Sequence, residues 1–175
     1  MKAILAVLLL ASPVLARNTP ADTPEAPGCG AIDSSFEVKT ERADLRTAQP
    51  DAGKALVFFV EDDSDFGSKP KPTTRAGVDG SWVGATHGNS YFSVSVDPGE
   101  HHLCASWQSS VIIGQGHKTA AAHFTAAAGG VYYFRVKNTW TLDLGTAGIS
   151  LTPLDSDEGQ LLLHTFALST FHQKK

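Results

Sequence analysis

Positively charged residues and cysteines are both few in this 175-residue sequence. Lysine and arginine number 14 against 18 aspartate and glutamate residues, which gives a net charge of -4. A nucleic-acid-binding protein normally carries a basic patch or a basic excess, so the composition argues against that class. The chain has only two cysteines and no Cys-x-x-Cys pair, which disfavours a structural zinc site.

Long apolar runs are also scarce, and the longest lies at the N-terminus. The aliphatic stretch 3–10 follows a lysine, and Val14 and Ala16 precede a cleavage site before Arg17. This arrangement predicts a signal peptide over residues 1–16 and a periplasmic or secreted protein after cleavage between Ala16 and Arg17. The alternative is a buried N-terminal helix. No run reaches the roughly 20 apolar residues of a membrane span, so we expect no integral membrane segment.

Glycine and proline are plentiful, with 16 and 9 residues. Together with frequent threonine, serine and valine they favour short strands joined by tight turns over helices. The Pro-, Ala- and Gly-rich stretch 17–35 predicts a linker, and residues 36–175 predict a single folded domain. Strands are predicted at 36–40, 55–60, 75–78, 82–85, 91–96, 101–107, 118–125, 131–136 and 149–154.

Turn and cap signals support this assignment. The continuous apolar run 55–60 has the length of a strand buried on both faces. Asp79-Gly80 is a strong signal for a two-residue hairpin. The spacing of Asp155 and Glu158 fits the start of a short helix near 156–166. We therefore predict an all-β fold, a single β-sandwich of about seven to eight mostly antiparallel strands with a short C-terminal helix.

Export changes the meaning of the two cysteines. In an oxidising compartment a pair of cysteines is usually a disulfide, so Cys29 and Cys104 are predicted to be bonded. Closing such a loop of about 75 residues is worth about 4 kcal/mol in the chain-entropy estimate. Two free thiols or a metal site are the alternatives.

The order of several short motifs resembles a bacterial envelope family, domain of unknown function 2846. These are an apolar first strand, a "Val-Asp-Gly" hairpin, a "Tyr-Phe" strand, a "Pro-Gly-Glu-His" turn and a late "Tyr-Tyr-Phe-Arg" strand, at 53–58, 78–80, 88–92, 96–101 and 130–135. The resemblance covers roughly residues 53–166, and Cys29 and Cys104 occupy places where a subgroup also carries cysteines. It implies an exported, β-rich protein and no particular activity.

The histidines and the cysteines suggest one chemical alternative. His102 and Cys104 share a face of their predicted strand, and His101 lies on the opposite face. The remaining histidines are scattered, and no set shows four-ligand metal spacing. We therefore predict no metal and no other cofactor, and keep a thiol or metal module of Cys29, Cys104 and His102 as an alternative.

Two further segments are considered for chemistry. The acidic loop 61–67 lacks calcium-loop spacing, because Thr74 stands where a glutamate is needed, so a solvated loop is expected. Ser90 lacks the second glycine of a nucleophile elbow, and the stretch 114–116 lacks the third glycine of a phosphate-binding loop. No catalytic residue is predicted.

Aromatic residues give the only candidate binding surface. Trp82 and Trp107 are expected in the core, whereas Trp140 falls in a predicted loop. Trp140, Tyr91 and His102 are the candidates for an exposed surface that binds an envelope protein or a glycan. The sequence therefore predicts an exported, non-catalytic binding or structural module. An envelope enzyme whose site is assembled from distant residues is the alternative from another class.

Overall fold

The computed structural model describes residues 26–42, 48–67, 70–108, 117–141 and 145–174. The predicted signal peptide and its cleavage site lie outside these ranges. Within them the chain forms ten strands and one helix. In chain order these are β1 (Phe36–Glu41), β2 (Ala55–Asp62), β3 (Thr73–Val78), β4 (Ser81–His87), β5 (Ser90–Val96), β6 (Gly99–Trp107), β7 (Thr119–Ala126), β8 (Val131–Thr141), β9 (Thr146–Leu154), α1 (Ser156–Thr165) and β10 (Ala167–Gln173).

Two sheets pack against each other, which confirms the predicted β-sandwich. The six-stranded sheet has the order β1-β10-β5-β2-β8-β9, and the four-stranded sheet has the order β4-β3-β6-β7. All pairs are antiparallel except β2 with β8 and β10 with β5. The ten strands exceed the predicted total of seven to eight, and nine of them overlap the nine ranges marked as strands in the sequence. The clearest addition is β10, which follows the helix directly and is fixed by pairing with β1 at the other end of the chain.

Strand β2 is buried along its whole length, as its apolar sequence predicts. Its residues alternate between two apolar clusters, because successive side chains on a strand point to opposite faces. One cluster fills the space between the sheets, and the other includes residues of α1. The first contains Ala55, Val57 and Phe59, and the second contains Leu56, Phe58 and Val60.

Helix α1 lies on the outer face of the six-stranded sheet and begins where the sequence predicts. Asp155 is the N-cap, and its side chain accepts the backbone N–H of Glu158 at 2.9 Å. Leu163 is buried in the cluster beneath the helix. A side chain at Gly159 would meet the ring of Tyr133 at 2.4 Å, so this glycine lets the helix approach the sheet closely.

Residues 26–35, here called the strap, lie across the outer face of the four-stranded sheet. Cys29 forms the predicted disulfide with Cys104 of β6, which is confirmed. Gly28 has a φ of 93°, and a Cβ there would lie 2.6 Å from the His102 carbonyl oxygen. Only glycine therefore allows the strap to lie this close to β6. This part of the predicted linker is packed against the domain.

Polar contacts hold the strap beyond the disulfide. Arg75 of β3 donates Nη1 to the carbonyl oxygens of Ile32 at 3.0 Å and Ser34 at 2.7 Å. Trp82 of β4 donates its indole N–H to the Ala31 carbonyl at 2.8 Å. The Arg75 guanidinium lies 4.3 Å from the centre of the Trp82 ring, in cation–π contact. The strap is thus fixed at several points along its length.

We predict that the double variant Cys29→Ala/Cys104→Ala folds but is less stable by about 2–4 kcal/mol, because its unfolded chain loses a long-range cross-link. The free energy of unfolding in urea, compared with that of the oxidised wild type, measures this loss. Wild type treated with reductant serves as the matched control and should unfold like the variant. Alkylation of both thiols in untreated, folded wild type would contradict the disulfide.

Candidate functional site

The acidic segment 61–67 is only partly solvated, in contrast to the solvated loop expected there: Ser64, Asp65 and Gly67 are exposed, and the other four residues are buried. Glu61 and Asp63 are 0% and 1% exposed. Strand β2 extends to Asp62, beyond the predicted end at residue 60. Glu61 therefore continues the inward-facing positions that begin with Ala55, and its carboxyl group enters the space between the sheets.

Asn138 of β8 links these two buried carboxyl groups. Its Nδ2 donates to Glu61 Oε1 and to Asp63 Oδ1, both at 2.8 Å. Its Oδ1 accepts the indole N–H of Trp107 at 2.8 Å, which fixes the amide orientation because an indole nitrogen only donates. The Thr74 hydroxyl also donates to Glu61 Oε1, at 3.2 Å. A cation placed here would face the amide NH₂ group, so these donors suit a carboxylate pair and not a metal ion.

Electrostatics favour a state in which one proton is shared by the two carboxyl groups. Burial raises the pKa of Glu61 well above its ordinary value, and the neighbouring Asp63 carboxylate raises it further. Burial also raises the pKa of Asp63. Two adjacent carboxylates in a buried site cannot both ionise at low cost. Glu61 Oε2 and Asp63 Oδ2 find no hydrogen-bond partner in the described part of the chain.

The loop encloses this pair. Phe66 packs edge-on against Trp107, with ring centres 5.8 Å apart. Lys71 donates Nζ to the carbonyl oxygens of Asp63 at 2.6 Å and Phe66 at 2.8 Å, which holds the loop closed. A substrate has no access to carboxyl groups that are almost completely buried. The pair is therefore an enclosed part of one end of the sandwich.

The opposite end of the sandwich carries a salt bridge between Asp79 and His101. Asp79 and Gly80 form the predicted two-residue hairpin, with φ values of 50° and 83°. His101 Nδ1 lies 2.6 Å from Asp79 Oδ2, and His101 Nε2 lies 2.6 Å from the Asp97 carbonyl oxygen. Both partners are acceptors, so the ring carries a proton on each nitrogen and is an imidazolium.

Electrostatics support the charged state of His101. Burial lowers the pKa of His101, but the hydrogen bonds to the Asp97 carbonyl and the Asp79 carboxylate outweigh burial and leave the pKa raised. Burial raises the pKa of Asp79, but the His102 backbone N–H and the His101 ring leave it lowered. Lys54 pairs with the Asp97 carboxylate at 2.8 Å. With both nitrogens engaged, His101 is not available as a general base.

One edge of β5 is open along its second half. Strand β10 runs beside this edge only at Ser90 and Tyr91, which pair with Ala167 and Leu168. Beyond Tyr91 it continues as the partner of β1 and contacts β4 instead. In the described ranges no strand replaces it along the rest of β5. Within those ranges the second half of β5 therefore has no strand partner on this side.

The backbone groups that face this side can be assigned from the register. Leu56 donates its backbone N–H toward β8. Because backbone groups alternate along a strand, Val57 bonds to β5, where it pairs with Val94. Ser93 and Ser95 lie on either side of that pair. Their N–H and C=O groups therefore point away from β2 and into the open edge.

A groove of ≈ 210 Å³ lies beside the open edge. It lies between β5 and β4, which is the end strand of the four-stranded sheet. The groove has an aliphatic part made by both sheets, and a charged rim whose members are already paired with each other. The aliphatic residues are Val78, Val83, Val94 and Val96, and the rim residues are Lys54, Asp79, Asp97 and His101.

Of the three residues predicted to form a binding surface, Tyr91 is covered, Trp140 lies in a strand and His102 is exposed. Tyr91 is 0% exposed and packs near Phe58, because the cluster beneath α1 covers this face of β5. Trp140 lies in β8 and not in a loop, since β8 extends to Thr141. It pairs with Ala147 and is half-buried. His102 is exposed on β6, as expected.

The cysteines and Ser90, which were considered for chemistry in the sequence, make contacts that hold the fold together. Cys29 and Cys104 are bonded to each other, so no free thiol of the described chain lies beside His102. Ser90 is buried and accepts a hydrogen bond from the Ser169 hydroxyl at 2.8 Å. No three His, Cys, Asp or Glu side chains in the described ranges lie close enough together to hold a metal ion.

Several residues that matter here were not singled out in the sequence. Asp79 was recognised as a turn residue, but nothing local shows that its carboxylate reaches His101. Glu61 carries a weak signal, because it continues the alternation of an apolar strand with an inward-facing acid. Asn138 and Ser95 carry none, since their roles depend on which strands become neighbours.

Comparisons with family models, with curated proteins and with solved structures find no match for this chain. The disulfide is typical of proteins that fold outside the reducing cytoplasm. In the part of the chain that the structure describes, the one helix is too short to cross a membrane. Function must therefore be argued from the geometry of the molecule itself.

We predict that Glu61→Gln is increasingly more stable than wild type as the pH rises. A carboxyl group with a raised folded pKa contributes stability below its unfolded value of 4.5, and this is lost as the pH passes through the folded pKa. Glutamine supplies the shared hydrogen to Asp63 without titrating. Urea unfolding at several pH values measures the difference between the two free energies of unfolding.

Glu61→Ala is the matched control and should be destabilised by about 2–4 kcal/mol, because it leaves a cavity and an unpaired amide donor. A constant difference between Glu61→Gln and wild type across the pH range would contradict the shared proton.

The His101 salt bridge predicts the pH dependence of a second variant. Because its folded pKa is raised, His101 contributes stability that is complete below the ordinary value of 6.5 and is lost as the pH rises through the folded pKa. Wild type should therefore exceed His101→Gln in stability by more at about pH 6 than at about pH 9. Urea unfolding measures the difference in free energy of unfolding at each pH. His164→Gln, which replaces an exposed histidine on α1, is the control. An equal stability difference between wild type and His101→Gln at both pH values would contradict the imidazolium.

Proposed function

We propose that this protein is an exported binding module that captures an extended polypeptide segment as an added strand along the open edge of β5. One observation carries the proposal: the backbone groups of Ser93 and Ser95 point to a side of β5 where no strand of the described ranges lies, beside an aliphatic groove. Export rests on the signal-peptide pattern, with the disulfide as support. Membership of the domain of unknown function 2846 family belongs to the same proposal, and adds an envelope location but no activity.

An extended polypeptide is the ligand that matches this edge. Alternate residues of an edge strand offer an N–H and a C=O each, so Ser93 and Ser95 together offer four main-chain hydrogen bonds. Strand β10 already uses the first part of the same edge in this way. A bound segment would continue along the line that β10 leaves after Tyr91. Main-chain pairing supplies affinity in this binding mode, and side-chain pockets supply selectivity.

The groove defines the side chains that the segment should carry. Val78 and Val83 of one sheet face Val94 and Val96 of the other, which gives an aliphatic lining. The charges on the rim are neutralised by each other, so they leave no unpaired charge to attract a charged ligand residue. We therefore expect aliphatic side chains at alternate positions of the ligand, since alternate residues of a strand point to the same face.

The two outer strands of the same sheet are protected against strand addition. Strand β1 carries Glu37, Lys39 and Glu41, and charged residues discourage edge pairing. Strand β9 carries Pro153, which lacks a backbone N–H. Ser93 and Ser95 are neither charged nor proline. The chemistry of this edge thus differs from that of the two outer strands of its sheet.

The enzyme alternative has less support from the geometry. The Glu61–Asp63 pair has the chemistry of a proton-sharing dyad, but it is enclosed. His101 has the chemistry of a base, but both of its ring nitrogens bind acceptors. Each group that resembles a catalytic residue is therefore engaged in holding the fold.

Selection from a phage-displayed library of random dodecapeptides tests the proposal. Peptides enriched on the wild type should show alternating aliphatic residues and should protect the Ser93 and Ser95 amides from hydrogen exchange. Ser95→Pro should weaken their binding by at least about tenfold, because it removes an edge donor and blocks close approach. It loses no internal strand bond, since the Ser95 N–H points outward.

Ser95→Ala is the matched control, because it keeps the backbone donor and should bind as wild type does. Enriched peptides without alternation, or peptides that bind Ser95→Pro equally well, would overturn strand addition at β5.

A further inference from the structure

Two histidines face each other on the outer face of the four-stranded sheet. His102 of β6 is the register partner of His123 of β7, and both are exposed. The face is identified by the neighbours of His102, because Leu103 is in the core between the sheets and Cys104 bonds to the strap. This pair lies outside the groove beside β5 and has no part in the function proposed above.

The register shows that the two imidazoles belong to the closer kind of cross-strand pair. Trp107 donates its backbone N–H to the Lys118 carbonyl at 2.9 Å, so these two residues form a hydrogen-bonded pair. Hydrogen-bonded and non-bonded pairs alternate along an antiparallel ladder. Counting back from Trp107 makes His102 and His123 a non-hydrogen-bonded pair. In such pairs the Cα atoms are about 4.5 Å apart and the side chains are closest.

The backbone contacts of His102 give the same result independently. Its N–H donates to Asp79 Oδ1 at 2.8 Å, and its carbonyl accepts the Asp79 backbone N–H at 2.9 Å. Both backbone groups of His102 thus point toward the β3–β4 hairpin and away from β7. The Asp79 contacts, together with the Cys104 disulfide two residues further on, also fix this part of β6.

We propose that His102 and His123 form a two-imidazole site for a divalent transition-metal ion of the copper, nickel and zinc group. Neutral imidazole is a preferred ligand of these ions, and two imidazoles on neighbouring strands chelate one ion. Water completes the coordination shell, because the described ranges bring no set of three ionisable ligands together. Copper should bind most tightly, following the general order of affinities for divalent ions.

Metal binding at this pair has a structural consequence for β7. Among the described strands β7 is the end of its sheet and pairs only with β6, and four of its eight residues are alanine. A metal ion held by His102 and His123 links β7 to β6 through side chains as well as through the backbone. Local opening of β7 should therefore become less frequent when the ion is bound.

Titration of the oxidised chain, purified without a histidine tag, with Cu²⁺ and Zn²⁺ tests the site. Substoichiometric Cu²⁺ should broaden the NMR signals of His102 and His123 first, and calorimetry should give one equivalent of Zn²⁺. His102→Asn and His123→Asn should each weaken binding by at least about tenfold. Zn²⁺ should also slow hydrogen exchange in 119–126 of the wild type and not of either variant.

Two matched controls separate this pair from other histidines. His164→Asn removes a single exposed histidine on α1, and His172→Asn removes the partner of Glu37, 3.4 Å away across β1 and β10. Both should bind Zn²⁺ as wild type does. The double variant His102→Asn/His123→Asn is first shown to be folded by its cooperative thermal unfolding. The proposal is overturned if this variant keeps the metal affinity of wild type. It is also overturned if Zn²⁺ binds without slowing exchange in β7, or does not bind.

Discussion

The burial of β2 on both faces is the constraint on which the rest of the structure depends. A strand in this position has no face for a polar side chain, yet its last inward position is Glu61. The amide of Asn138, which is itself oriented by Trp107, donates to that acid and to Asp63. Glu61 and Asn138 belong to the six-stranded sheet and Trp107 to the four-stranded sheet, so these hydrogen bonds link the two sheets.

The hairpin at Asp79 organises the opposite end. Its tight turn places one carboxylate against the ring of His101 and the backbone N–H of His102 at the same time. The inward-facing histidine becomes part of a charged contact at the end of the sandwich, and the outward-facing histidine is left exposed beside the strap. Neighbouring residues of one strand thus have different chemistry, because the strand directs them to opposite faces.

The departure of β10 from β5 gives the molecule its open edge. Strand β10 pairs with β5 over two residues and with β1 over six, so that in the described ranges no strand pairs with β5 beside Ser93 and Ser95. The aliphatic groove and the histidine pair lie on different surfaces, one between the sheets and one outside them. Variants at one site therefore leave the contacts of the other intact, and the two proposals can be tested separately.

Local chemistry in the sequence determined the β-rich composition, most strand positions, the Asp79-Gly80 turn, the Asp155 cap and the pairing of two cysteines. These features depend on neighbouring residues, or on there being only one possible partner. Only the tertiary structure decided that Glu61 is buried, that Tyr91 is covered, that Trp140 lies in a strand and that His102 meets His123. Each of these depends on register and on strand order, which bring together residues far apart in the chain, and no local pattern encodes those neighbours.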